Sequence, residues 1–374
     1  MSSRPNDVAP ARPQPLPAAV VAMAGVLLAA VGASAAVVGD VAPEHTRLLR
    51  EAADIIASGR LEAIGFAYPP LPVLTAAVFR SPTSLAVIGA ICGAGALEVG
   101  RRSLARRGHQ GLTAVVLLAS VAAAPPFVAL ATRTLATSAA LFLLVAALDG
   151  FRRFTELDET VGGFTAGLLL GVAFFVDFIA TAYLAVAVVA ALLSTRARHA
   201  ADPFERSATV AVLAFPVVAG AIAWGCLEWL FTGTPLHDAV DVLAPIDVSS
   251  WMAAGRDLSA IATAFARDVA ATPLFLTVAI IRLRRDGRRA VGTLVPLVAI
   301  PVAMAFGFPY TPALAFSTLA LLALAYVPRE SSLSERWMLM LAALAQVVVA
   351  SVLLPAERGL LATPLLLLGQ GLDM

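Results

Sequence analysis

Lysine is absent from this chain of 374 residues, so all 26 of its basic residues are arginine. Charged residues make up only 14% of the sequence, compared with about a quarter in soluble domains. The net charge of +1 gives no basic surface for nucleic acid, so no nucleic-acid partner is expected. With only two cysteines, a secreted domain held together by disulfides is also excluded.

Several motifs that carry chemistry in other proteins are missing as well. The sequence has no phosphate-binding P-loop, no Gly-x-Gly-x-x-Gly followed by an acid, no His-Glu-x-x-His and no paired cysteines. These absences disfavour ATP-driven transport by this chain alone. They also give no reason to expect a cofactor or a bound metal ion.

Apolar residues are what the chain has in excess: 60% of it is hydrophobic and its mean hydropathy is +0.87. A spanning helix needs about 20 mostly apolar residues. The composition therefore predicts an all-α integral membrane protein. We predict about eleven crossings, at 18–38, 84–99, 112–124, 135–148, 161–176, 179–193, 209–231, 272–281, 291–306, 314–327 and 337–354.

The arginines give these crossings a direction. Clusters at 101–107, 152–153 and 282–289 fall in alternate loops, and cytoplasmic loops hold the excess of basic residues. This predicts a cytoplasmic N-terminus and an outer C-terminus. Arginine without lysine, together with heavy use of alanine and glycine, indicates a GC-rich bacterial genome and hence a bacterial plasma membrane.

The segments outside the crossings complete the predicted organisation. Residues 1–17 are polar and rich in proline, which predicts a disordered cytoplasmic tail ahead of a transmembrane domain at 18–354. A first outer loop at 39–70 and a second at 232–271 interrupt that domain, and 355–374 form an outer tail. Apolar residues at helical spacing predict an amphipathic helix in each loop, at 44–58 and 250–270. The first of these helices would lie on the membrane surface.

The first outer loop carries a family resemblance. An acid, Asp40, follows the first crossing, residues 53–59 read Ala-Asp-Ile-Ile-Ala-Ser-Gly, and residues 66–72 read Phe-Ala-Tyr-Pro-Pro-Leu-Pro. Residues 229–236, Trp-Leu-Phe-Thr-Gly-Thr-Pro-Leu, open the second outer loop. In order and spacing these elements resemble GT-C class membrane glycosyltransferases, in particular the actinobacterial polyprenol-phosphate-mannose-dependent mannosyltransferases.

The resemblance implies an activity. Such a protein would transfer a sugar, mannose by this resemblance, from a polyprenyl-phosphate donor to a cell-envelope lipid or glycan acceptor. The reaction would take place on the outer face of the membrane. The expected partners are thus the lipid bilayer, the polyprenyl-phosphate sugar and the acceptor. The alternative is a polytopic membrane protein without enzymatic activity: a transporter, a flippase or a scaffold subunit, including a GT-C fold that has lost its chemistry.

Sugar transfer needs a carboxylate that accepts the proton of the acceptor hydroxyl. Asp40 lies directly at the end of the first crossing, so it is one candidate for this base. Glu44, four residues later, is the other. Their alternative roles are a water-exposed turn residue for Asp40 and a favourable charge in the first turn of a helix for Glu44.

The leaving group is a lipid phosphate, whose charge needs cationic partners. Arg47, Arg50, Arg60 and Arg133 lie on the predicted outer side, against the arginine bias, and are candidates to bind that phosphate. Binding of anionic lipid headgroups is the alternative for each of them.

Three further residues are candidates for the same site, and an acid, Asp177, is weighed separately. His45 could contact the phosphate or assist proton transfer, Tyr68 could stack on the sugar, and His237 is a candidate for substrate binding. The alternatives are an exposed helix histidine for His45 and an interfacial anchor for Tyr68. Asp177 lies between two apolar runs, either as a loop acid at an outer turn or as a buried functional carboxylate.

Overall fold

A computed structural model describes residues 15–59, 69–157, 159–198, 203–233, 258–287, 311–329 and 331–354, with 294–295, 297–298 and 301. All regular structure in these ranges is α-helical, which confirms the predicted all-α class for the part of the chain described. The helices are α1 (Pro15–Val37), α2 (Pro43–Ser58), α3 (Pro70–Phe79), α4 (Pro82–Arg106), α5 (Leu112–Ala122), α6 (Pro125–Arg133), α7 (Leu135–Leu157), α8 (Thr160–Phe174), α9 (Ala180–Arg198), α10 (Pro203–Thr232), α11 (Leu258–Ala270), α12 (Pro273–Asp286), α13 (Pro312–Tyr326) and α14 (Leu333–Leu353).

Five helices in the described residues are long and apolar enough to cross a membrane: α1, α4, α7, α10 and α14. Two bent pairs raise this number to seven if each pair is one span. The pair α5–α6 bends by 62° and the pair α11–α12 by 86°. The chain is therefore a multi-pass α-helical membrane protein, and its described residues support five to seven crossings, not eleven.

The excess in the predicted count has a physical origin. The predicted crossings at 161–176 and 314–327 correspond to α8 and α13, which have 15 residues each. Both are shorter than the ~20 residues of a typical spanning helix, so length alone does not count them as crossings. The crossing at 112–124 ends at Pro125, where α5 turns sharply into α6. Most of 291–306 lies outside the described residues.

Helix α13 is the centre of the bundle. Every side chain from Ala313 to Tyr326 is buried, and the helix contacts α4, α6, α7 and α12. Its high hydropathy therefore comes from burial among other helices. Hydropathy alone does not separate such a helix from one that faces lipid.

One end of the bundle is held together by basic side chains that reach the carboxyl end of α13. Arg107 donates to the Val327 carbonyl at 2.8 Å, and Arg152 donates to the Ala325 carbonyl at 3.0 Å. Positive charge is favourable at a helix C-terminus. At the same end of the bundle, Arg106 of α4 forms an ion pair with Asp149 of α7. We call this end the Arg107 end.

The opposite end of α7 lies beside α2, the amphipathic helix predicted at 44–58. The structure confirms that helix as α2, with Pro43 in its first turn and Gly59 ending it in the left-handed conformation at φ 61°. The two ends are far apart because α7 has 23 residues, or roughly 35 Å at the helical rise. The functional candidates that the structure describes lie near this α2 end.

One predicted boundary changes, and two further predictions fall partly or wholly outside the described residues. Helix α1 begins at Pro15, so 15–17 are helical and do not belong to a disordered tail. The second amphipathic helix begins at Leu258, and 250–257 are outside the described residues. The outer tail at 355–374 is also outside them.

Candidate functional site

Polar side chains from five parts of the chain meet at the start of α7. We call this group the Asp40 cluster and define it by its members, which lie in the α1–α2 connection, α2, α6, α7 and the α8–α9 turn: Asp40, Glu44, His45, Arg47, Arg133, Thr137 and Asp177. Hydrogen bonds or ion pairs that cross between these elements join most of them.

The sequence of α2 explains how the cluster is positioned. His45, Leu48 and Ala52 are the buried residues of the helix and recur at helical spacing. Leu48 and Ala52 pack with Val73 of α3 and Leu135 of α7 in a small apolar core. This packing holds the first turn of α2 against the first turn of α7.

Asp40 is engaged by Arg133 from the end of α6. The guanidinium donates two hydrogen bonds to the two carboxylate oxygens, at 2.9 and 3.1 Å. The Asp40 side chain is 46% exposed and that of Arg133 is 30% exposed. The pair is bidentate, the geometry that arginine also uses to bind phosphate. Because the pair reaches solvent, a phosphate could replace Asp40 as the partner of Arg133.

Glu44 has a different environment. One of its carboxylate oxygens accepts the backbone N–H of Ala136 at 2.8 Å, in the first turn of α7. Burial raises the pKa of Glu44 to about 7, and the negative charge of Asp177 adds to the rise. The Ala136 hydrogen bond and the charge of Arg47 oppose it. A carboxylate with a pKa near 7 can both accept and release a proton at neutral pH.

Asp177 lies in the turn between α8 and α9, as the first of its two interpretations held. Its carboxylate is nevertheless enclosed: it accepts the Thr137 hydroxyl at 3.2 Å and the Ile179 N–H at 3.0 Å. Burial raises the pKa of Asp177, while these two hydrogen bonds oppose the rise. The N–H of Leu71 donates to Phe175 and thereby ties the same turn to α3.

His45 is buried, with 2% of its surface exposed, so the alternative of an exposed helix histidine is wrong. Burial lowers the pKa of His45 to about 4, and the positive charge of Arg133 contributes. The imidazole is therefore neutral at physiological pH and cannot serve there as a cation for phosphate. Its Nε2 atom has no hydrogen-bond partner within the described residues.

Of the remaining candidates from the sequence, two are exposed on α2 and three lie outside the described residues. Arg47 forms an ion pair with Glu51 one turn later, at 2.9 Å. Arg50 is exposed on the same helix. Arg60, Tyr68 and His237 lie outside the described residues.

Sequence reasoning missed the contribution of α7. Neither the N–H of Ala136 nor the hydroxyl of Thr137 was a candidate, yet each binds a carboxylate of the cluster. The signal was present in principle, because the free N–H groups at a helix N-terminus favour anions. What the sequence did not reveal is that Glu44, 92 residues earlier, occupies this position.

The chemistry available to the cluster is proton transfer and anion binding. Within the described ranges no group of three His, Cys, Asp or Glu side chains could hold a metal ion. Glu44 offers a carboxylate that titrates near neutral pH, and Arg133 and Arg47 offer exposed guanidinium groups beside it. No family model, curated protein or solved structure matches the chain.

Proposed function

We propose that this protein is a membrane glycosyltransferase of GT-C type that transfers a sugar from a polyprenyl phosphate to a cell-envelope lipid or glycan. The observation that carries the proposal is the environment of Glu44, a carboxylate with a pKa of about 7 outside the membrane-spanning helices. A general base works best when its pKa lies near the operating pH. The resemblance of residues 40–72 to the polyprenol-phosphate-mannose-dependent enzymes favours mannose as the sugar.

In this proposal Glu44 is the base and Asp40 is not. Both carboxylate oxygens of Asp40 accept hydrogen bonds from Arg133, so neither oxygen is free to approach an acceptor hydroxyl while the pair is formed. One oxygen of Glu44 accepts the Ala136 N–H, and within the described residues the neighbouring arginines form their ion pairs with other acids, Arg47 with Glu51 and Arg133 with Asp40.

The reaction is a single displacement. Glu44 takes the proton of the acceptor hydroxyl as the acceptor oxygen attacks C1 of the sugar. The new C1–O bond forms while the bond from C1 to the phosphate oxygen breaks, and polyprenyl phosphate leaves with the electron pair. The configuration at C1 is inverted. Arg133, released from Asp40, stabilises the phosphate charge, and Arg47 adds a second cation.

The membrane topology is part of the proposal. The Asp40 cluster faces the outside of a bacterial plasma membrane, and the Arg107 end faces the cytoplasm, because cytoplasmic loops collect basic residues. Short helices such as α8 and α13, surrounded by longer ones, would supply crossings beyond the five to seven that length supports. An odd number of crossings, such as the eleven that the sequence predicts, puts the C-terminus outside if the N-terminus is cytoplasmic.

The direct test is sugar transfer by the purified protein in lipid nanodiscs. Polyprenyl-phosphate mannose and polyprenyl-phosphate arabinose, each radiolabelled in the sugar, are supplied with envelope lipids, and label in the lipid and glycan fractions is measured. We expect transfer from one donor, with a KM for that donor at least tenfold higher in Arg133→Gln. The matched control is Arg102→Gln, an exposed arginine at the Arg107 end, whose KM stays at the wild-type value.

Absence of transfer from both donors by well-folded protein would overturn the proposal. It would favour the alternative of a transporter, flippase or scaffold subunit. A donor KM that rises equally in Arg133→Gln and Arg102→Gln would remove Arg133 from the phosphate site.

A further inference from the structure

Two carboxylates from different elements meet the first turn of α7. Glu44 of α2 accepts the backbone N–H of Ala136 at 2.8 Å. Asp177 of the α8–α9 turn accepts the hydroxyl of the next residue, Thr137, at 3.2 Å. Consecutive residues of one helix turn thus hold two acids that are far apart in the chain.

In the described part of the chain, few cationic side chains are available to neutralise the negative charges of Glu44 and Asp177. From α2, Arg47 acts on both carboxylates, but it also pairs with Glu51. From α6, Arg133 is bound to Asp40 and acts on His45, which is neutral. Helix α3, which packs against α2, has no titratable side chain. From α9, the phenol of Tyr183 interacts electrostatically with Asp177 but carries no positive charge. Two neighbouring carboxylates with so little cationic compensation resist being ionised together.

We propose that Asp177 is a positioning residue for the base Glu44, and that the two carboxylates act as one electrostatically coupled pair across the first turn of α7. This inference rests on the proposed function, in which Glu44 accepts the hydroxyl proton. Asp177 does not touch substrate. Its negative charge increases the proton affinity of Glu44 and so keeps that carboxylate effective as an acceptor at neutral pH.

The pair makes a prediction that packing alone does not. Asp177→Asn keeps one side-chain oxygen that can accept from the Ile179 N–H and places an amide NH2, which can donate to the Thr137 hydroxyl, where the second oxygen was. It removes the charge. Glu44 should then ionise at lower pH. Two carboxyl groups that titrate as a coupled pair interact by about one pK unit or more, so a downward shift of about one pH unit is expected.

Infrared spectroscopy of the full-length protein in nanodiscs measures this titration without any substrate. The carbonyl band that disappears in Glu44→Gln reports protonated Glu44. Its midpoint should lie near pH 7 in the wild type, about one unit lower in Asp177→Asn, and at the wild-type value in Asp54→Asn. Asp54 is an exposed acid on the same helix, so it controls for a general change in charge.

A second variant tests the same coupling independently, in case Asp177→Asn does not fold. Thr137→Val removes the hydroxyl that favours ionised Asp177, so it should shift the Glu44 midpoint in the same direction by a smaller amount. A Glu44 midpoint that stays at the wild-type value in both variants would overturn the coupled pair.

The pH dependence of transfer separates this inference from the proposed function. In Asp177→Asn the acidic limb of the kcat/KM profile should move to lower pH together with the infrared midpoint. If the midpoint moves but no donor supports transfer, the proposed function fails and the coupled pair stands. If transfer occurs and neither the limb nor the midpoint moves, the pair fails and the proposed function stands.

Discussion

Arg133 and Asp40 are 93 residues apart in the chain and are joined by two hydrogen bonds, of 2.9 and 3.1 Å. The pair fastens the connection between α1 and α2 to the end of α6. It therefore closes the α2 end of the bundle beside Glu44 and His45. Arg133 also binds the carboxylate of Asp40, which was a candidate base because it lies at the end of the first predicted crossing.

This pair should contribute little to stability. Both side chains reach solvent, and exposed ion pairs contribute at most about 1 kcal/mol. A double-mutant cycle with Asp40→Asn and Arg133→Gln should therefore give a coupling energy below about 1 kcal/mol, and the coupling should fall as salt increases. Unfolding in detergent, followed by circular dichroism, measures it. A salt-independent coupling of about 3 kcal/mol would show a buried pair instead.

His45 should make the protein less stable in acid. Its pKa is about 4 in the folded protein, compared with 6.5 for the free side chain. Stability from the neutral form is thus fully present above pH 6.5 and is lost as the pH falls towards 4. We expect the Tm to fall over this range in the presence of His45 and to fall less in His45→Gln.

Glu44 changes stability with pH in the opposite direction to His45. The test of His45 therefore has to be made in a protein that lacks the Glu44 carboxylate. Its folded pKa is raised from 4.5 to about 7, so its stabilising effect is full below pH 4.5 and is lost as the pH rises through 7. The measurement should therefore compare Glu44→Gln with the double variant Glu44→Gln/His45→Gln. Equal acid sensitivity of these two proteins would show that His45 is not buried as a neutral imidazole.

The crossing of α7 and α8 should not tolerate a side chain at Gly162. A Cβ atom there would lie 2.6 Å from the carbonyl oxygen of Gly150 and 3.0 Å from the backbone nitrogen of Phe154. Backbone atoms cannot move aside as a flexible side chain can, and overpacking typically costs about 1–3 kcal/mol. Gly162→Ala should lose about this much free energy of unfolding.

The control for Gly162 is Gly25→Ala. There the new Cβ meets only the Cβ of Ala94, at 3.1 Å, so the loss should be smaller. Comparable losses at the two positions, measured by thermal unfolding in the same detergent, would contradict the close backbone approach of α7 and α8.

Arg107 should matter more for stability than its exposed neighbour Arg102. Arg107 is 2% exposed and donates to the Val327 carbonyl at 2.8 Å. Loss of a hydrogen bond to a charged group typically costs about 1.5–3 kcal/mol. We expect Arg107→Gln to lose this much in chemical unfolding. Arg102→Gln, at a side chain that is 62% exposed, should lose less than about 1 kcal/mol.

The sequence predicted the local features of the fold better than the number of membrane crossings. Helix α2 followed from periodicity because one face of it is apolar and its ends carry Pro43 and Gly59. The number of crossings did not follow, because an apolar run shows neither its bend nor its surroundings. Helix α13 is as apolar as a lipid-facing helix but is buried by its neighbours.

The site shows the same division. Asp40, Glu44 and Arg133 were each candidates because of their residue type and their position beside apolar runs. Their partners could not be predicted from the sequence, because Glu44 binds a backbone N–H that is 92 residues away along the chain. The distinction between the two candidate bases depends on those partners, and it required the structure.

The identity of the base is the central claim, and initial rates of sugar transfer by Asp40→Asn and Glu44→Gln at matched expression test it most directly. A general base typically contributes 10²- to 10⁴-fold to the rate. Glu44→Gln should therefore lose at least about 100-fold in kcat, because a neutral amide cannot accept the proton. Asp40→Asn should keep most of its kcat, since it only releases Arg133. Loss of kcat in Asp40→Asn with Glu44→Gln active would contradict the account.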